Sequence, residues 1–207
     1  MYWPLIPSYE KSMKLSYNTM NAKVERLRER RTWRRLLESR RCIIPVDGFY
    51  EFVGDKPPKT PWFVYLKSRE PLALAGFWDS WKKPDGGTLE SFNIITLPAN
   101  DFMRPIHDRI PAILHSENEE NWINCAANPL TRSHLCSFPI PPIKWRRTLL
   151  RPGSTTPDTM NPIVARRWRV EWNTGLQQTY RGYTARLVHS CILSLFDLAD
   201  AIQSLSI

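Results

Sequence analysis

The sequence predicts a strand-rich α+β domain, on three observations. Short runs rich in apolar and aromatic residues alternate with turn signals, as in strands. The turn signal PDGG at 84–87 joins two such runs as a hairpin. One stretch, 25–39, instead has its apolar residues at helical spacing. The predicted strands cover residues 42–52, 62–66, 72–81 and 92–97.

The predicted helix at 25–39 turns a row of apolar residues towards the core, and the strand that follows it is interrupted. Pro45 and Gly48 break the run at 42–52, because proline lacks a backbone donor and glycine weakens a strand. The expected core residues of the helix are Leu27, Trp33, Leu36 and Leu37.

Shorter elements complete the first part of the chain. Residues 54–61 hold glycine, three prolines and charges, which indicates a loop. Residues 100–104 are expected to form a helical turn. A helix is predicted at 117–123, with Ser116 as its N-cap and acidic residues near its positive end.

The chain divides at about residue 125. Residues 1–125 form the predicted domain, and residues 126–207 have no regular period and carry many prolines, which exclude a long helix there. The strings at 138–148 and 151–163 can be back-translated and read one base earlier to give another sequence. We therefore predict that about 128–162 are translated out of frame, and that 126–207 as a whole are an out-of-frame or disordered tail; the nucleotide sequence tests this.

Composition excludes several classes of protein. A chain of 207 residues fits one domain of ordinary size, and no apolar run reaches the ~18–20 residues of a membrane span. The four cysteines lack metal-ligand spacing, so we predict no metal, no cofactor and a reducing, cytoplasmic location.

The net charge of +9 favours a nucleic-acid partner, but the distribution of that charge along the chain weakens the inference. Residues 1–125 hold 19 basic and 16 acidic residues, so most of the excess lies in the tail. Within the domain, 26–41 is dense in arginine. It is either a solvated helix face or an edge that follows phosphates.

Three segments each hold one polar side chain among residues that would fix the backbone. They are NAK at 21–23, GFYE at 48–51 and IHDRIP at 106–111, and they supply Asn21, Glu51 and His107. A carboxyl group and an imidazole brought together by a fold can run acid–base chemistry near neutral pH.

These segments and two others resemble the SRAP family (SOS response-associated peptidase), whose members shield abasic sites in single-stranded DNA. The similar stretches occur in family order: WPLIPS at 3–8, TMNAKVE at 19–25, RRCIIPVDGFYEF at 40–52, Thr96 and HDRIP at 107–111. The resemblance therefore covers residues 3–122. It implies an α+β fold and covalent capture of abasic sites, with the name-giving peptidase activity.

The resemblance assigns roles to three candidate catalytic residues. Glu51 would act in the acid–base steps of sugar ring opening, His107 would assist proton transfer at a sugar hydroxyl, and Asn21 would hydrogen-bond near the substrate. A purely structural role is the alternative for Glu51 and for His107, because glutamate and histidine also occur as paired groups within folds.

It also assigns four candidate DNA contacts. Lys23, in place of an arginine, and Arg109 would bind phosphate, Phe52 would stack on a base, and Thr96 would contact phosphate. The alternative for Arg109 is an ion pair with Asp108 or Asp101, and for Thr96 an ordinary place in a strand.

The family nucleophile is a cysteine directly after the initiator methionine, whose amine and thiol together trap the sugar aldehyde. Position 2 here is Tyr2, and Cys42 cannot substitute because an internal cysteine has no free amine. The family start is expected to be missing, so we expect no crosslink from this chain.

The predicted partner is therefore single-stranded DNA with abasic sites, bound by a cytoplasmic monomer, nucleoid-associated if the protein is bacterial, without a membrane contact. Two alternatives stay open. The chain could be a DNA-binding remnant without catalysis, or a truncated protein that does not fold stably.

Overall fold

A computed structural model of the chain describes residues 1–54 and 59–125, together with short strands at 145–149, 179–180 and 183–184. The strands are β1 (Asn21–Lys23), β2 (Arg41–Val46), β3 (Phe49–Val53), β4 (Thr60–Leu66), β5 (Leu72–Lys82), β6 (Thr88–Pro98), β7 (Arg109–Pro111), β8 (Ile113–Leu114), β9 (Trp145–Leu149), β10 (Thr179–Tyr180) and β11 (Tyr183–Thr184). The helices are α1 (Arg31–Ser39) and α2 (Ser116–Ile123), and a 3-10 turn covers Val24–Arg26.

A six-stranded sheet forms the centre of the fold. Its path is β1-β6-β5-β2, with β7 also on β6 and β8 also on β5. β5 and β6 form the predicted hairpin, and Gly86 in its turn has φ +86°, a conformation that favours glycine. Every pairing in this sheet is antiparallel except that of β1 with β6.

The core lies between the central sheet and the two helices. Trp33, Leu36 and Leu37 of α1 and Trp122 of α2 are buried, as apolar residues at helical spacing should be. Gly76 lets β5 and β6 approach closely, because a Cβ atom there would lie 2.2 Å from the backbone oxygen of Asn93.

The N-terminal segment is bonded to the hairpin at several points. The backbone of Tyr2 forms a bridge to Ser91, with its N–H 2.8 Å from the oxygen of Glu90. The buried Ser91 hydroxyl accepts from the N–H of Ile6 at 2.8 Å, and the indole N–H of Trp81 donates to the oxygen of Glu10 at 2.6 Å. The segment before β1 is therefore part of the fold.

A second sheet has the order β3-β4-β9. β9 pairs antiparallel with β4, although its residues follow no strand period in the sequence. Most of 126–207, including most of the stretch predicted to be out of frame, lies outside the described residues, as do residues 55–58. The domain boundary at residue 125 therefore stays a prediction.

The α+β class is confirmed, and two local predictions are corrected. The helix begins at Arg31 rather than Glu25, because Glu25 lies in a 3-10 turn whose side chain is bonded to Arg109. The N-cap of α2 is His115 rather than Ser116, and no side chain caps it. Within the described residues, no helix has the length and apolarity needed to cross a bilayer.

Candidate functional site

A cleft of about 550 Å³ opens where β1, β6, β7 and the start of α1 meet. It brings together five of the seven predicted site residues, from three distant parts of the chain. Its lining consists of Asn18, Asn21, Lys23, Arg26, Arg30, Trp33, Thr96, His107, Asp108 and Arg109.

Strand alternation explains why these side chains share one face. Side chains two residues apart on a strand point the same way, so Asn21 and Lys23 face the cleft while Ala22 is fully buried between them. The register pairs Lys23 with Thr96, which places their side chains beside each other. The parallel pairing of β1 with β6 therefore creates one wall of the cleft.

His107 is held by the backbone of β7. The backbone N–H of Arg109 donates to His107 Nδ1 at 2.9 Å, so in the neutral ring Nδ1 is an acceptor and the proton lies on Nε2. Asp108 Oδ1 is 3.0 Å from the same Nδ1 and becomes its partner when the ring is protonated. The contacts therefore present Nε2–H of the neutral ring as a hydrogen-bond donor, and Asp108 lies where it can stabilise an imidazolium.

Arg109 is bound to other protein groups. Its guanidinium makes a two-point contact with Glu25, at 2.7 Å from Nη1 and 3.0 Å from Nη2. Nη2 also donates to the backbone oxygen of Thr96 at 2.7 Å. The contact between Arg109 and Glu25 lowers the pKa of Glu25. The residue is 9% exposed, so most of its donors are directed into the protein.

The anticipated partners of Arg109 are engaged elsewhere. Asp101 lies 3.1 Å from Arg104, and Asp108 lies beside His107. Glu25, the observed partner, is 84 residues away in sequence. Arg109 thus forms an ion pair, but with Glu25 rather than with Asp108 or Asp101.

Free cationic charge in the cleft comes instead from its rim. Lys23, Arg26 and Arg30 are exposed and line the cleft, and Arg26 shares a weak surface pair with Glu29 at 3.7 Å. Since Arg109 is balanced by Glu25, these three side chains set a positive potential that suits phosphate.

Glu51 and Phe52 lie on β3, in the second sheet, and are absent from the residues that line the cleft. Glu51 is 2% exposed and pairs in register with Trp62 of β4. Of the seven predicted site residues, Asn21, Lys23, Thr96, His107 and Arg109 therefore line the cleft, and Glu51 and Phe52 are not among the described residues that line it.

Sequence reasoning missed several residues of the cleft. Arg26 and Arg30 lie in the arginine-dense stretch, and their spacing of four residues is a signal that could have singled them out. Asn18 lies shortly before Asn21 and forms an Asx turn, in which the Asn18 side chain accepts from the N–H of Met20 at 2.8 Å. The sequence near Glu25 does not indicate Arg109 as its partner, because only the fold brings the two residues together.

The chemistry of Cys42 agrees with the view that it is no nucleophile. Cys42 is buried, and desolvation raises the pKa of its thiol well above the ordinary range, with a further contribution from Cys125. The described residues contain no cluster of three groups suited to hold a metal ion.

The family model for SOS response associated peptidase (SRAP) matches residues 1–147 of the chain. The chain belongs to the SRAP family. The match therefore extends past residue 125 and ends at residue 147, within β9.

Relatives and a solved structure agree with this membership. The abasic site processing protein YoqW of Bacillus subtilis is 44% identical over 123 residues, which cover 59% of this chain and 55% of YoqW. The abasic site processing protein HMCES of Xenopus tropicalis is 28% identical over 190 residues, covering 79% of this chain and 57% of HMCES. A protein from Bacteroides thetaiotaomicron has a similar structure, with a TM-score of 0.66 at 27% identity, covering 79% of this chain and 74% of that one.

The chain thus spans little more than half the length of the curated relatives that it matches. The relatives are abasic site processing proteins, and what this chain itself binds is a separate question.

Proposed function

We propose that this SRAP chain recognises abasic sites in single-stranded DNA, with the unstacked sugar in the cleft. The observation that carries the proposal is the convergence of Asn21, Thr96 and His107 beneath the cationic rim of Lys23, Arg26 and Arg30. A cleft of about 550 Å³ suits one small group such as a sugar without its base. Relatives named for abasic site processing support the same substrate.

In this proposal the rim binds phosphate and the floor acts on the sugar. Lys23, Arg26 and Arg30 contact the phosphates on either side of the lesion. Asn21 hydrogen-bonds the sugar, and the Nε2–H of the neutral His107 ring donates a hydrogen bond to a sugar oxygen and so assists proton transfer at the sugar hydroxyl. Glu51 remains a proposed acid–base residue, although it lies outside the lining of the cleft.

Arg109 has a different proposed role from the phosphate contact expected of it. Its side chain is fixed by Glu25 and Thr96, and its backbone N–H is bonded to His107. It therefore positions the imidazole, because the pair with Glu25 holds β7 against the turn that follows β1.

Covalent capture requires an amine and a thiol on one residue, and the buried, internal Cys42 offers no free amine. We therefore propose that Cys42 forms no covalent adduct with abasic DNA. Such a protein works in the cytoplasm, at the DNA, as a monomer. A band shifted on a denaturing gel after incubation with abasic DNA would contradict the expectation.

The test of binding uses a single-stranded oligonucleotide with one tetrahydrofuran, a stable analogue of an abasic site, and fluorescence anisotropy. We expect tighter binding to this oligonucleotide than to the undamaged strand. Lys23→Ala should weaken binding and lower the slope of log affinity against log salt by about 0.7 for one lost phosphate contact.

Lys67→Ala is the matched control, because Lys67 is an exposed lysine in the turn after β4 and does not line the cleft. Equal affinity for damaged and undamaged strands, or equal effects of the two lysine substitutions, would refute the proposal.

A further inference from the structure

The exposed large apolar side chains of the described residues all lie within the first 17 positions. They are Tyr2, Tyr9, Met13 and Tyr17. Two of them are near each other: Tyr9 is 56% exposed and Tyr17 is 37% exposed, and the Tyr9 hydroxyl contributes to the raised pKa of Tyr17. We call these two rings the tyrosine pair.

Both hydroxyl groups of the tyrosine pair are held. That of Tyr9 is bonded to the hydroxyl of Thr32 on α1. That of Tyr17 donates to Glu10 Oε1 at 2.5 Å, and partial burial together with this bond raises the pKa of the phenol above its ordinary value. The rings are therefore oriented by their hydroxyl bonds while the residues stay exposed.

The backbone beneath the tyrosine pair is also fixed. The N–H of Ser8 donates to Asp79 Oδ2 at 2.8 Å, and Asp79 in turn accepts from Arg35 of α1. The indole of Trp81 holds the oxygen of Glu10. Because ring positions are set before a ligand arrives, little ordering entropy is lost when something stacks on them.

Two residues that line the cleft are close in sequence to Tyr17 or to the bonding partner of Tyr9. Asn18, the neighbour of Tyr17 in the chain, lines the cleft. Arg30 also lines the cleft and lies two residues before Thr32, which holds Tyr9. The exposed Arg31 lies between them and adds a cation.

We infer that the tyrosine pair is a stacking platform for the bases of the DNA strand that leaves the cleft, with Arg31 on its phosphates. Accessible, oriented aromatic faces beside exposed arginines are the recurrent arrangement for single-stranded nucleic acid. The inference rests on the proposed function, since it names the path of the same strand beyond the lesion. It also predicts a sequence-tolerant contact, because every base has a π face.

The test pairs removal of the rings with removal of the bases. One single-stranded oligonucleotide carries a central tetrahydrofuran and normal flanking bases. A second has the same backbone, with tetrahydrofuran in place of the bases on one flank, and a third has this on the other flank. Wild-type chain should bind one of the two altered strands about tenfold more weakly, as expected for the loss of a stacked base.

The double variant Tyr9→Ala with Tyr17→Ala should bind the fully based strand about tenfold more weakly than wild type. It should not distinguish that strand from the altered one. Tyr9→Phe with Tyr17→Phe keeps both rings and should retain most of the preference for flanking bases, which separates stacking from the loss of the hydroxyl bonds.

The outcomes separate the two proposals. If wild type prefers the abasic site but is indifferent to bases on either flank, the platform is wrong and the proposed function stands. An equal loss by the alanine variant on all three strands also overturns the platform. Failure of wild type to bind any strand overturns both.

Discussion

Among the described residues, two of the arginine–carboxylate pairs are opposite in burial. In the pair of Arg109 with Glu25 the cation is buried and the carboxylate is half exposed. In the pair of Arg35 with Asp79 the carboxylate is buried and the cation is partly exposed. The first fixes the cleft and the second fixes the segment that carries Tyr9. The contrast indicates that the loss of unfolding free energy on substitution depends on which partner of a pair is buried, and not on the number of ion pairs.

The largest effect is expected from Asp79→Ala. The buried carboxylate accepts from the N–H groups of Ser8 and Ser80 and from Arg35, so its loss strands several donors. The free energy of unfolding should fall by about 3 kcal/mol, as for a broken buried ion pair. Denaturant titration measures it, and a loss below about 1 kcal/mol would contradict the reading.

A smaller loss is expected from Glu25→Ala. The substitution leaves the buried guanidinium of Arg109 without its carboxylate, but Glu25 is half exposed and water can partly replace it. We expect about 2 kcal/mol, together with a changed environment of His107. Imidazole NMR signals that are identical in wild type and variant would show that the pair does not position the ring.

The same pair should respond to acid with a definite sign. The contact with Arg109 lowers the pKa of Glu25 below its ordinary value of 4.5, so the pair stabilises the folded state fully above that value. This stabilisation is lost as the pH falls through the lower folded pKa. The difference in unfolding free energy between wild type and Glu25→Gln should therefore shrink below about pH 4.5. A difference constant from pH 7 to pH 3 would contradict it.

The smallest effect is expected from Glu29→Ala, which completes the comparison. Glu29 and its partner Arg26 are both well exposed and 3.7 Å apart. An exposed pair of this kind contributes below about 0.5 kcal/mol. Unfolding curves that overlay those of wild type would agree, whereas a loss comparable to that of Glu25→Ala would break the link between burial and cost.

The sequence predicts the hairpin and the helix faces because their signals are local. PDGG specifies the turn between β5 and β6, and the spacing of Trp33, Leu36 and Leu37 specifies the buried side of α1. Motif resemblance placed Asn21, Glu51 and His107 in one site; Asn21 and His107 line the cleft, whereas Glu51 is not among its described lining residues.

The contacts that sequence did not predict are those that only the tertiary fold creates. Arg109 lies beside Asp108 in the chain but binds Glu25, because β1 and β7 flank opposite edges of β6. The start of α1 is displaced for the same reason, since Glu25 is drawn to Arg109. Strand β9 carries no periodic signal, and only its pairing with β4 defines it.

The parallel pairing of β1 with β6 has a consequence for the order of assembly. Asn21 meets Ile94 across more than 70 residues of chain, whereas β5 and β6 meet through one short turn. Loop-closure entropy favours the hairpin first and the distant strand later. The wall that carries Asn21 and Lys23 thus docks onto an edge that already exists. Hydrogen exchange should find the N–H of Ile94, which donates to Met20, less protected than the amides inside the hairpin, so the cleft is the last part of the domain to close and the first to open.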